Sequence, residues 1–207
     1  MFTRHAPPYA VTATRLSVLT IITLGVLVPA SQAGATALGK GGFVSLELQV
    51  TSIYRAFGLV LGLAGGYQTA GGAAVGVALY DLLNGTPLPE QSDDGRERRR
   101  TKMHYGGLLF AKEIGSDGDL GPRVGAVVGI GDVSLYTTAK NRSSDGSVYF
   151  VVQPMVSFAA RRSHTTQPGL SLGYRLHRGV GTTGVTDATL GGPFLGLSGA
   201  LATLGSD

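Results

Sequence analysis

The chain has 207 residues, of which 33 are glycine and none is cysteine; 43% are hydrophobic, only 14% are charged, and the formal net charge is +4. The missing cysteine excludes disulfides, a lipid-modified N-terminal cysteine and any thiolate metal site. A soluble globule normally carries about a quarter charged residues, so this balance implies either an unusually apolar surface or one that partly faces lipid.

The first element reads as an export signal. Arg4, His5 and Arg15 form a basic start without acids, Leu16 to Val28 is an uninterrupted apolar run, and Pro29 then leads to the small residues Ser31 and Ala33. That is the order of a cleavable signal peptide, with cleavage expected between Ala33 and Ala37. A spanning helix needs about 20 apolar residues, more than this run supplies. The chain thus divides into a signal peptide over 1–33 and a mature domain over 34–207, enough for one domain with its own core. The signal holds two of the seventeen basic residues and none of the thirteen acidic ones, which leaves the mature chain near +2. So small an excess does not point to nucleic acid as a partner.

Period two begins at residue 43. Val44, Leu46, Leu48 and Val50 alternate with Ser45, Glu47, Gln49 and Thr51, a strand with one apolar and one polar face. In the next segment Phe57, Leu59, Leu61 and Leu63 oppose small residues, and after the turn-like Gln68 to Gly72 the pattern resumes in Val75, Val77 and Leu79. Beyond the polar stretch 84–101, Met103, Tyr105 and Leu109 alternate with polar residues up to Glu113. A fifth strand over Arg123 to Tyr136 shifts phase across Gly131-Asp132, for which a β-bulge is the expected cause. The sixth, Val148 to Ala160, contains Pro154, which cannot donate to a ladder. The seventh sets Leu170, Leu172, Tyr174 and Leu176 against Ser171, Gly173, Arg175 and His177, and the eighth covers Phe194 to Thr203.

Eight alternating segments without an amphipathic helix predict an all-β meander, closed on itself or folded into two sheets. The connections help to choose. The second, fourth and sixth are about five, nine and eight residues long, and the third, fifth and seventh about eighteen, ten and fourteen. Short turns alternating with longer loops are the habit of transmembrane barrels. The first connection, between Thr51 and Phe57, departs from that rule.

On these grounds the chain resembles the small eight-stranded outer-membrane β-barrel proteins of Gram-negative bacteria. The resemblance covers residues 40 to 204 and rests on the signal peptide, the absent cysteine, the alternation and the loop asymmetry rather than on a motif. It implies an eight-stranded antiparallel up-and-down transmembrane β-barrel in the cell outer membrane, with membrane lipid and lipopolysaccharide as partners. The chain departs from the class in ending Thr203-Leu-Gly-Ser-Asp207, where such proteins carry a terminal aromatic.

In such a barrel the polar and small residues point inward. Glu47 and Gln49 would then meet Arg175, His177, His104 and Gln153 in a cluster that must satisfy itself, because an unpaired buried charge is costly. A second candidate site is the charged stretch after Glu90. Arg96, Arg98, Arg99, Arg100 and Lys102 could grip lipopolysaccharide phosphates or an acidic partner.

Other motifs carry less. Gly169-Leu-Ser171-Leu-Gly173 matches the G-x-S-x-G elbow by letter, but that elbow needs a strand before the serine and a helix after it. Here Pro168 precedes and an alternating strand follows. Six residues of strand between Ser171 and His177 span about 20 Å, too far for a serine and its base. Asp117-Gly-Asp119 offers too few oxygens for calcium, so no catalytic residue, metal or cofactor is assigned. The expected function is a non-enzymatic outer-membrane protein acting through extracellular loops. A lipid-modifying barrel enzyme, a narrow pore and a secreted soluble β-barrel binding protein are the alternatives. Residues 56–80 also permit a different fold, because Gly58, Gly62 and Gly66 follow the small-x-x-x-small spacing of packed membrane helices.

Overall fold

The computed structural model describes residues 41–87, 99–115, 120–137, 142–160, 166–182 and 184–204. The expected signal peptide lies outside them. The strands are β1 (Gly41–Ile53), β2 (Ala56–Gln68), β3 (Ala73–Leu82), β4 (Thr86–Pro87), β5 (Arg99–Glu113), β6 (Leu120–Thr137), β7 (Arg142–Ala160), β8 (Thr166–Arg178) and β9 (Gly192–Leu204), with a one-turn helix α1 (Asp187–Leu190) before β9. Each strand pairs antiparallel with its chain neighbour, β1 pairs with β9, and β3 bypasses the two-residue β4 to pair with β5. The sheet thereby closes into an eight-stranded barrel, with β4 a short addition to the edge of β5. Closure leaves the eight long strands without a continuous free edge.

Residues 56–80, which the glycine spacing left open to a helical reading, form β2, a turn and β3. An interval of four is also even, so Gly58, Gly62 and Gly66 all lie on the inward face of one strand. Gly66 stands opposite Gly76, and a Cβ on either would collide with the other strand's backbone. No helix among the described residues is long and apolar enough to cross a membrane.

The chain ends of β1 and β9 share one rim with the connections 69–72, 114–119 and 161–165; we call it the turn rim. The opposite, loop rim carries 54–55, 83–98, 138–141 and 179–191. The irregular first connection is a two-residue turn with Tyr54 at φ 54° and Arg55 at φ 61°, the left-handed pair that matches strand twist in tight hairpins. Neither residue is glycine, so the turn is strained. It is held from the β8–β9 connection: Tyr54 N–H donates to Thr189 O at 3.1 Å and its hydroxyl to Gly184 O at 3.4 Å.

Two expectations need correction. The fifth connection is not about ten residues but 138–141, because β6 and β7 continue past the other strands at the loop rim. The expected bulge at Gly131-Asp132 is absent, since the β5–β6 register runs unbroken from Arg99↔Thr137 to Glu113↔Arg123. The strand does not slip; its inside changes character. Val133 and Leu135 are fully buried and inward, while Asp132 faces out. A true register shift falls later, at Leu135/Tyr136.

Candidate functional site

The barrel interior is filled in layers. Nearest the loop rim it is mainly apolar, with Ile53, Leu82, Met103, Leu135 and Val151 packed against Val185 and Leu190 of the β8–β9 connection and Thr101 buried beside them. That connection folds inward as a stopper. Asp187 fixes it by accepting from Val180 N–H at 2.8 Å and Gly179 N–H at 3.3 Å.

Below the stopper lies a polar layer centred on Arg175, which is 0% exposed. Its Nη2 donates to Gln49 Oε1 at 2.8 Å and its Nε to Gln153 Oε1 at 3.3 Å. The same Gln153 oxygen accepts from the Tyr105 hydroxyl at 2.6 Å. The guanidinium also lies 5.0 Å from the Tyr105 ring centre and 5.9 Å from that of Phe194, within cation–π range. Gln49 turns its amide to Glu47, donating to Oε2 at 3.1 Å; Tyr80 donates to the same oxygen at 3.3 Å, and the Ser171 hydroxyl donates to Oε1. Gln49 thus links the buried cation to the partly buried carboxylate. Nearer the turn rim, Arg123 donates to Gln68 Oε1 at 2.9 Å.

Glycines make the room for this layer. A Cβ on Gly62 would stand 2.5 Å from the Tyr80 ring, and one on Gly173 2.5 Å from the Phe194 ring. Tyr80 can therefore stack on Tyr105, with ring centres 4.7 Å apart and planes 11° from parallel.

Of the six residues expected inside, Glu47, Gln49, Gln153, Arg175 and His177 face the interior. His104 does not. It projects outward from β5 and pairs with Asp81 at 3.0 Å on a half-exposed surface. The reason is parity: Met103 and Tyr105 on the same strand are buried, so His104 between them must face out. His177 lies above Arg175 with its ring edge-on to Tyr149, centres 4.7 Å apart. The Tyr80, Tyr105 and Tyr149 contributions were missed because alternation alone cannot tell an interior tyrosine from a surface one. Ser171, flagged by the elbow motif, is buried against Glu47.

Of the cationic stretch, Arg96 and Arg98 lie outside the described residues, and Arg99 begins β5. Arg100 and Lys102 are exposed and share the outward face of β5 with His104. Lys102 sits 4.9 Å above the Tyr136 ring.

The outer surface reverses the usual rule of an apolar inside. Leu46 (55%), Val77 (58%) and Leu197 (66%) are exposed, and their neighbours on every long strand form a continuous apolar belt. Outward aromatics border it: Phe57, Phe150 and Tyr174 toward the loop rim, and Tyr67, Phe110 and Phe158 toward the turn rim. From Phe57 to Tyr67 the strand runs about 33 Å at roughly 3.3 Å per residue, or about 25 Å along the barrel axis at a tilt of roughly 40°. Beyond the upper border the outward face becomes polar with Asp81, Lys102, His104 and Asp132.

No family model and no curated protein matches the sequence. Among solved structures the barrel is similar to neisserial surface protein A, with a TM-score of 0.59 and 12% identity over 82% of this chain and 99% of that one. The N-terminal β-barrel domain of Pseudomonas aeruginosa OprF aligns with a TM-score of 0.49 and 12% identity over 79% and 99%. Ail of Yersinia pestis aligns with a TM-score of 0.48 and 10% identity over 79% and 96%. The first of these likenesses establishes the fold as that of the small outer-membrane barrels.

Proposed function

We propose that this chain is a non-enzymatic outer-membrane protein whose barrel anchors surface loops for contact with anionic molecules, lipopolysaccharide among them. The observation that carries the reading is the apolar belt between two aromatic borders on a closed barrel. Such a belt about 25 Å tall matches the hydrocarbon-facing band of a transmembrane barrel, and in water it would be an aggregation surface. Arg100 and Lys102, above the belt on one strand face, supply the charge for phosphate groups.

The interior network is structural in this reading. It joins five strands through interior hydrogen bonds, and the stopper closes it at the loop rim, which weighs against an open pore. Ser171 inside the barrel, with a carboxylate for its partner, weighs against a hydrolase. The test is membrane fractionation combined with trypsin treatment of whole cells. The protein should partition with the outer membrane, and cleavage should fall within Arg96 to Lys102 on intact cells. Recovery in the soluble periplasmic or secreted fraction overturns the proposal.

A further inference from the structure

On the lipid-facing side near the turn rim, β3, β5 and β6 form a shallow groove of about 620 Å³. Its floor is a small grid set by strand register. Val75, Phe110 and Ala126 stand side by side, and Ala73, Lys112 and Val124 form the next row toward the rim. The alanines leave a recess beside the larger Phe110. The groove is apolar except for Thr69, whose hydroxyl is engaged by the Ala73 backbone, and Lys112, whose exposed side chain donates to Gly71 O and keeps two further ammonium donors for another partner. Phe110 belongs to the lower aromatic border, so Lys112 stands one step beyond it, at the depth of lipid headgroups.

We propose that this groove is a binding site for one glycerophospholipid, with an acyl chain along Phe110 and Ala126 and the phosphate on Lys112. The inference rests on the outer-membrane reading above. In that reading the turn rim, which lacks the two long connections 83–98 and 179–191, faces the periplasm, and the adjoining leaflet consists of glycerophospholipids. Charge decides against a second copy of the chain. A twofold contact centred here would bring Lys112 against its own counterpart in an apolar interface, which is costly.

Native mass spectrometry of the folded protein in neutral detergent, titrated with phosphatidylglycerol, tests the site. The wild type should retain one lipid at low excess. Lys112→Gln should weaken retention about tenfold, as expected from losing one hydrogen bond to a charged group, and Ala126→Trp should abolish it by filling the recess. Leu197→Trp, on another face of the belt, should change nothing. Retention by Lys112→Gln and Ala126→Trp equal to the wild type overturns the site, as does a wild type that retains no phosphatidylglycerol or prefers lipopolysaccharide. A folded monomer in detergent-free buffer would instead overturn the membrane reading itself, so the two failures are distinguishable.

Discussion

The guanidinium of Arg175 on β8 reaches over β9 to donate to Gln49 on β1 at 2.8 Å, tying together two strands that never pair. The same group holds Gln153 on β7 and packs on Tyr105 of β5. An isolated buried charge would be expelled; this one is held by two amide oxygens and two aromatic faces, with its Nη1 making no hydrogen bond among the described residues.

Removing it should therefore cost more than its volume. Arg175→Ala is expected to lower the unfolding free energy by about 3 kcal/mol, leaving Gln49 and Gln153 without their charged donor. Arg175→Met, which keeps much of the bulk, should lose less. Urea unfolding in lipid vesicles, followed by the heat-dependent shift of the folded band on gels, measures both. If Arg175→Ala and Glu47→Ala leave that shift untouched, the interior network has no structural role.

Gly62 and Tyr80 form a second testable pair. A valine at 62 would place atoms where the Tyr80 ring lies, forcing that ring off both Tyr105 and Glu47. Gly62→Val should destabilise the barrel by about 1–3 kcal/mol, the usual range for overpacking. Combining it with Tyr80→Ala should cost less than the two single changes added together, because the ring that clashes is gone.

The belt predicts a dependence on depth. Leu197→Arg places a charge on a residue that is 66% exposed within the apolar belt and should cost about 2–4 kcal/mol in a bilayer. Ser134→Arg, outward but beyond the upper border, should cost less than about 1 kcal/mol. Equal effects at the two positions, measured by refolding into vesicles, would remove the membrane reading.

The stopper gives the last prediction. Leu190→Ala empties a fully buried position beneath the loop rim and should lower stability by about 2–5 kcal/mol. The polar layer below still blocks the lumen, so planar-bilayer recording should show no steady conductance for this variant or for the wild type. A steady single-channel current in the wild type contradicts a sealed interior.

Much of this was legible along the chain. Val44 to Val50 on β1 and Leu170 to Leu176 on β8 announce a two-faced strand, because a pleated strand turns successive side chains to opposite sides. Scarce charge then suggests which face meets lipid. The inward direction of Glu47, Gln49, Gln153, Arg175 and His177 follows from the same parity. His104 was misread because the apolar face of its strand was taken to meet lipid, whereas Met103 and Tyr105 fill the interior here and leave His104 between them facing out.

The sequence by itself determined the period, the number of long strands and the composition of the belt, all of which are local consequences of alternation. Only the tertiary structure decided what those faces meet. Register placed Gly62 under Tyr80, brought Arg175 to Gln49 across an intervening strand, and turned Val133 and Leu135 into an inner apolar cap rather than a bulge. Such contacts depend on shear and closure around the whole barrel, quantities to which every strand contributes and which no single segment carries.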